Sequence, residues 1–199
     1  MDVCKLTDAV CSQLFIELEA SGRHVHLTKE QAQTLFGHGL TPERLLSQPG
    51  QFLARERATV RGPKGEFRDV AVLGPERKEA QVEISMTDAR ALGIPAPVRL
   101  SGKVADTPGA VLSGPLGKVQ LNQGVIVAKR HIHLTPESAA NFGVEDGQAV
   151  KLKTFTRRPL IFEDVVVRVS DQFAPYAHLD YDEANACGFQ KGDLGRILP

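Results

Sequence analysis

The chain repeats itself, and that property restricts its folding more than any other in the sequence. Arg23-His24-Val25-His26-Leu27-Thr28 returns 107 positions later as Arg130-His131-Ile132-His133-Leu134-Thr135, and Glu30 and Ala32 are answered by Glu137 and Ala139. Phe36-Gly37 and Phe142-Gly143 follow with one residue of slippage. A second echo lies further along each half. Val82-Glu83-Ile84-Ser85-Met86-Thr87-Asp88-Ala89 aligns with Ala177-His178-Leu179-Asp180-Tyr181-Asp182-Glu183-Ala184, 95 positions on, and Ala91/Ala186 and Gly93/Gly188 extend it. Two echoes in the same order identify an internal duplication. The first half carries 12 more residues between its motifs, and the Gly/Pro/Gln-rich stretch Gly37 to Glu56 is the expected site of the insertion.

Each half reads as short strands with small helical caps. Ala58–Arg61 and Val70–Leu73 match 149–153 and 165–169, all rich in β-branched residues and separated by turn material such as Gly62-Pro63-Lys64-Gly65. Thr28 and Thr135 are placed as helix N-caps, with Gln31 completing a capping box in the first copy and Pro136 at the first helical position in the second. Asp88 to Leu92 and Asp182 to Cys187 form a matched pair of one-to-two-turn helices, each stopped by a glycine, Gly93 or Gly188. This pattern predicts a mainly β fold of two β-barrels capped by short helices and related by the duplication. No Gly-rich nucleotide-binding fingerprint is present.

Composition removes several function classes. With 24 Lys plus Arg against 24 Asp plus Glu, the chain lacks the cationic excess that nucleic acid or an anionic membrane surface would require. No apolar run approaches the roughly 20 residues that span a bilayer. Asp2, Lys5, Asp8, Glu17 and Glu19 interrupt each apolar stretch near the start, so no secretion signal is read there. Three cysteines, Cys4, Cys11 and Cys187, form no disulfide framework, and the expected location is the cytoplasm.

The histidines carry the chemistry. Four of the six form the pairs His24/His26 and His131/His133. On extended backbone, positions i and i+2 share a face, so each pair presents two imidazoles to one ion. Glu83 occupies in the first half the place of His178 in the second, a swap that keeps the capacity to bind a metal. Six residues thus resolve into two sets of three: His24, His26, Glu83 and His131, His133, His178. Three nitrogen or oxygen ligands with an open position describe a catalytic zinc site better than a closed structural one, with cobalt or another first-row ion as the alternative. His38 falls in the inserted stretch and reads as an exposed loop residue. Arg23 and Arg130 face away from the ligands and read as structural. Arg77, six residues before Glu83, reads either as a surface arginine or as a clamp for an oxyanion beside the cations.

With these residues in view, the chain resembles the phosphotransacylases of the propanediol-utilisation (PduL) type from about Glu19 to Leu198. The resemblance rests on Arg23-His24-Val25-His26-Leu27, Leu46-Ser47-Gln48-Pro49-Gly50-Gln51-Phe52, Gly62-Pro63-Lys64-Gly65, Leu73-Gly74-Pro75-Glu76-Arg77 and Gln81-Val82-Glu83-Ile84-Ser85. It continues through Pro97-Val98-Arg99, Ser101-Gly102, Ala128-Lys129-Arg130-His131-Ile132-His133-Leu134 and Asp182-Glu183-Ala184-Asn185. It implies transfer of an acyl group, typically propanoyl or acetyl, between coenzyme A and inorganic phosphate. It further implies two β-barrels with chain segments crossing between them, and a dinuclear zinc site, two ions per chain. In this sequence the barrels are expected to comprise residues 17–22 plus 129–199 and residues 23–128. His24, His26 and Glu83 would ligate in one half, and His131, His133 and His178 in the other. Arg77 falls at the family's phosphate-contacting arginine and Ser101 at a family serine of the active site. The coenzyme A contacts carried over are the Glu19-Ala20-Ser21 backbone, Lys64 and Asn185. The implied partners are coenzyme A, acyl-CoA and phosphate, and the implied assembly is a homodimer.

The chemistry expected of such a site is direct attack by phosphate on the thioester, since the histidines are committed to metal and no Ser/His or Cys/His dyad remains. Cys187 reads as a small buried hydrophobe. Residues 1–16 stand outside the duplication. Val3, Leu6, Val10, Leu14 and Phe15 are spaced for a short amphipathic helix, which either packs on the barrel or, as the resemblance implies, directs the chain into a bacterial microcompartment beside shell or cargo proteins. Two other readings remain: a dinuclear zinc acyl-CoA hydrolase, and a non-catalytic zinc-binding module.

Overall fold

The computed structural model describes residues 14–198. The helix expected over 1–16 falls almost wholly outside them; within them, Phe15 packs edge-on against Phe155, ring centroids 5.5 Å apart. The chain runs through β1 (Ile16–Ser21), β2 (His24–His26), α1 (Lys29–Phe36), β3 (Pro42–Leu45), β4 (Phe52–Arg61), β5 (Glu66–Gly74), β6 (Gln81–Ile84) and α2 (Met86–Leu92). It continues with β7 (Val98–Arg99), β8 (Ala110–Ser113), β9 (Lys118–Leu121), β10 (Val125–Ala128), β11 (His131–Leu134) and α3 (Pro136–Phe142). The last elements are β12 (Ala149–Phe155), β13 (Ile161–Val169), β14 (Tyr176–Asp180), α4 (Tyr181–Cys187) and β15 (Leu194–Leu198). No helix among the described residues is long and apolar enough to cross a membrane.

The fold is mainly β and divides into two units. One holds the described residues up to Ser21 and those from Lys129 onward; the other holds Gly22–Ala128. The first unit is a closed six-stranded barrel, β1-β14-β11-β13-β12-β15. The second is a nine-stranded sheet curled into a half-barrel, β7-β10-β6-β2-β5-β4-β8-β9, with β3 paired to β4. Strand for strand, β10-β6-β2-β5-β4-β8 repeats the barrel order, and each shared pairing keeps its sense: β2–β5 and β11–β13 are parallel, β2–β6 and β11–β14 antiparallel. The duplication is therefore structural as well as sequential. The strand before each His pair, β1 or β10, belongs to the opposite unit from the pair that follows it.

Closure separates the two copies. In the barrel, β15 pairs with β1 through Ile16↔Gly195 and Glu17↔Leu194. In the half-barrel, β8 turns into a hairpin with β9 instead. What remains of the closing seam is Val125 N–H donating to the Pro108 carbonyl at 2.9 Å and Gly124 N–H donating to Thr107 Oγ1 at 2.9 Å. The insertion contains β3, which has no counterpart in the barrel. One shared irregularity is Asp69 in β5 and Asp164 in β13, both left-handed at φ 54 and 55° beside a register shift. Aspartate tolerates that conformation better than most residues, and the resulting bulge tightens the curl of the sheet.

Local signals act as read. Thr28 and Thr135 cap α1 and α3, Gln31 closes the capping box, Pro136 begins α3, and Gly93 and Gly188 end α2 and α4 in the left-handed conformation. Arg23 forks onto Asp88 at 2.7 and 3.0 Å, and Arg130 holds Glu183 at 2.6 Å, so both arginines anchor the first turn of a helix to the residue just before the His pair. Each unit has its own core. Leu18, Ile132, Leu134, Leu152, Val167 and Leu179 lie among the buried residues of the barrel interior. Val25, Leu27, Val72, Val82 and Leu112 lie among those of the half-barrel. Because Val25 and Ile132 point into these cores, strand alternation turns the flanking histidines to the other face.

Candidate metal centres

Register brings each triad together. In the half-barrel His24 lies directly across from Glu83, and His26 from Gln81. In the barrel His131 lies across from His178, and His133 from Tyr176. The Glu83/His178 equivalence read from the sequence is thus an equivalence of register, each facing the first histidine of its pair. In both triads the ligand atoms lie within 4.8 Å of one another.

In the half-barrel triad, His24 Nε2 is 3.6 Å and His26 Nε2 3.9 Å from the same oxygen, Glu83 Oε1. Their Nδ1 atoms are tied to backbone carbonyls, His24 to Gly22 at 2.8 Å and His26 to Leu73 at 3.2 Å. An Nδ1–H donated to a carbonyl fixes the tautomer and leaves the Nε2 lone pair for a cation. Burial opposes ionisation of Glu83, but His24, His26 and the Ser101 hydroxyl outweigh it and hold the carboxyl far below its usual range. Burial, with His24 and Arg77 nearby, pushes His26 well below the ordinary histidine value. Burial also works against charge on His24, yet Glu83 prevails and raises it. An ionised carboxylate and a neutral imidazole form a donor set suited to a divalent cation.

The barrel triad is built from imidazoles alone. His131 Nδ1 contacts the Lys129 carbonyl at 2.8 Å, repeating the His24 arrangement. The His131 and His178 rings stack at 4.9 Å, Phe173 stacks on His133 at 3.9 Å, and the Arg168 guanidinium lies 5.6 Å from the Phe173 ring centroid. Three imidazoles, or two imidazoles and a carboxylate, are donor sets that zinc accepts, so the residues present fit that ion.

Arg77 and Ser101 sit beside the half-barrel triad. Ser101 Oγ donates to Glu83 Oε1 at 2.9 Å and accepts from Arg77 Nη1 at 3.4 Å. Arg77 is seated by its own N–H donating to the Leu27 carbonyl at 2.8 Å. A residue that sequence reasoning missed completes the cluster. Gln81, only 2% exposed, donates through Nε2 to Glu83 and to Ser101, the latter at 2.9 Å, and accepts from Gly102 N–H at 2.7 Å. Its position two residues before Glu83, on the same strand face, was the available signal. Phe173 lies between strands and carried no signal.

The other predicted site residues are dispersed. Lys64 lies in the β4–β5 turn and lines a cavity of about 420 Å³ with Met86, Arg90, Ile94 and Pro95. The turn reaches α2 because Gly62 has no Cβ, which would meet the Leu92 carbonyl at 2.3 Å, and Lys64 N–H donates to that carbonyl at 2.9 Å. Glu19, Ala20 and Ser21 form the end of β1, and the Glu19 side chain turns to His178. Asn185 is exposed on α4, and His38 is exposed beside Glu56. Cys187 is fully buried in the barrel core, where burial raises its thiol pKa.

Comparison with known proteins gives this site its context. The family profile for phosphate propanoyltransferase matches residues 17–190. A phosphate propanoyltransferase of Enterococcus faecalis is 59% identical over 184 residues, covering 92% of this chain and 87% of the relative. Proteins of the same name from Clostridioides difficile and Thermotoga maritima are each 52% identical, over 191 and 181 residues, covering 95% and 89% of this chain and 91% and 86% of theirs. On these matches the chain is an acyltransferase. More particularly, it belongs to the phosphate propanoyltransferase family.

Proposed function

We propose that the protein interconverts acyl-CoA plus phosphate with acyl phosphate plus coenzyme A, with propanoyl-CoA or acetyl-CoA as substrate and one zinc ion at each triad, two per chain. The observation that carries this reading is the convergence of His24, His26 and Glu83 beside an arginine and a serine that share one hydrogen-bond network. When bound, zinc supplies Lewis acidity toward a substrate oxygen.

The chain's own residues do the rest. Arg77 offers a planar, permanently charged fork to the phosphate dianion and holds one of its oxygens toward the thioester carbonyl. Ser101 ties that guanidinium to Glu83, so the anion site and the ligand carboxylate keep a fixed separation. A phosphate oxygen then bonds to the carbonyl carbon, the carbon–sulfur bond breaks, and coenzyme A leaves as its thiolate to take a proton from water. Phosphate brings its own nucleophilic oxygen, so no acyl-enzyme is needed, and the thiol of Cys187 is shut in the barrel core. For coenzyme A we assign the Glu19-Ala20-Ser21 backbone, Lys64 and Asn185. The cavity beside Lys64, with a second cation in Arg90 and apolar walls, suits a ligand of phosphates joined to an uncharged arm.

The proposed assembly is a homodimer, checked by light scattering. The proposed location is the cytoplasm, with residues 1–16 as the address for a bacterial microcompartment, checked by co-sedimentation of a fusion of that segment with shell particles. The decisive assay measures thiol release and acyl phosphate from propanoyl-CoA with and without inorganic phosphate. Release that requires phosphate and yields acyl phosphate in equal amount is expected. Thioester cleavage indifferent to phosphate would make the protein a hydrolase instead.

A further inference from the structure

We infer that Glu19 is a positioning residue for His178, forming a carboxylate–histidine–metal arrangement in the barrel triad that the half-barrel triad lacks. This rests on the proposal that both triads bind zinc. β1 runs parallel to β14 with Glu19 paired to His178, and Glu19 Oε2 lies 3.3 Å from His178 Nδ1. For His24, His26 and His131 the corresponding nitrogen faces a backbone carbonyl. His178 alone among these four turns it to a carboxylate.

The duplication supplies an internal comparison. In the half-barrel, β10 takes the place of β1, and the residue paired with Glu83 is the fully buried Ile126. Ligand and neighbour therefore change together: a carboxylate ligand stands beside an aliphatic side chain, an imidazole ligand beside a carboxylate. A second carboxylate next to Glu83 would repel it in a buried site, and Glu83 is already steadied by Ser101 and Gln81. His178 gains from the opposite choice. A carboxylate at Nδ1 holds that proton in place, turns Nε2 toward the triad and strengthens it as a donor. Charge points the same way. With a divalent ion, His24/His26/Glu83 carries a net single positive charge, whereas three neutral imidazoles carry two. Glu19 brings the barrel centre to the same value as its twin.

The test uses the full chain and zinc itself. Zinc is titrated against a chromophoric chelator into wild type, Glu19→Ala and Glu19→Gln, and cobalt absorption reports the ligand field. Wild type should bind two ions per chain. In Glu19→Ala one site should weaken by about 10- to 100-fold, the range for losing such an outer-sphere partner, with the other unchanged and the cobalt bands altered. Glu19→Gln, whose amide oxygen still accepts the Nδ1 proton, should lie between. Unchanged affinity at both sites, equal weakening of both, or a melting temperature lowered equally in the zinc-stripped and zinc-loaded alanine variant would overturn the inference. A wild-type chain that takes up no zinc would overturn the zinc reading itself, and this inference with it.

Discussion

Replacing Gln81 by leucine tests whether the amide beside Glu83 organises the half-barrel centre. Leucine nearly matches glutamine in volume, so the buried space stays filled while all three polar contacts vanish. The bond to ionised Glu83 belongs to the class worth about 1.5–3 kcal/mol, and those to Ser101 and Gly102 are worth about 1 kcal/mol each. Gly102 is exposed, so its N–H can turn to water and its share falls at the low end. Burying an aliphatic in place of an amide returns about 1 kcal/mol. The net loss is about 2–4 kcal/mol, which at roughly 3 °C per kcal/mol for a chain of this size lowers Tm by about 6–12 °C. The assay is thermal unfolding of the zinc-stripped protein followed by circular dichroism. Gln81→Glu should be at least as damaging without metal, because it sets a second carboxylate against Glu83, and zinc should recover part of the loss. A Gln81→Leu protein that melts within 2 °C of wild type would show the network to be idle.

Arg77→Ala should lower kcat/KM for phosphate by about 10²–10³-fold, from two charge-assisted bonds of about 1.5–2 kcal/mol each, and Arg77→Lys should recover part of it. Steady-state rates across phosphate concentrations decide this, and an unchanged phosphate dependence removes Arg77 from the role. Burial, with the charge of Asp182, raises Asp180 above its ordinary value, and burial, with the charge of Asp180, raises Glu183. The folded chain then binds more protons than the unfolded chain between the two values, so this pair makes stability fall as pH rises through that interval. Asp180→Asn keeps a capping oxygen and removes one charge, so its Tm advantage over wild type should grow from about pH 4 to about pH 7; parallel curves would refute it. Exhaustive chelation should abolish acyl phosphate formation and zinc should restore it, while far-UV circular dichroism stays β-rich because both cores lie on the faces opposite the ligands. Full activity in chelated protein would end the zinc reading.

Much of this architecture was legible before any coordinates, for an identifiable reason. Periodicity and capping are local, and duplication checks each local reading against a second copy. Thr28 with Thr135 and Gly93 with Gly188 each supported the other as cap or stop, the matched positions of Glu83 and His178 marked the third member of each triad, and side-chain alternation alone placed His24 with His26 on one face. What lies across a ladder is not local. Gln81 clasping Glu83 and Ser101, the last two 18 positions apart, depends on how the chain returns to β6 after α2. Phe173 over His133 depends on the path of an irregular segment.

Sequence by itself thus determined that two homologous β units exist, where their strands and caps fall, and which six side chains form two triads, because all of this follows from residue type at fixed spacing. Tertiary structure alone decided that one unit closes through β15 and β1 while the other stays open behind the β8–β9 hairpin, and that Glu19 faces His178 where Ile126 faces Glu83. Those outcomes turn on which strand edges meet. Edge pairing between segments as far apart as Glu17 and Leu194 is a contest between whole-chain arrangements that no short window of residues records.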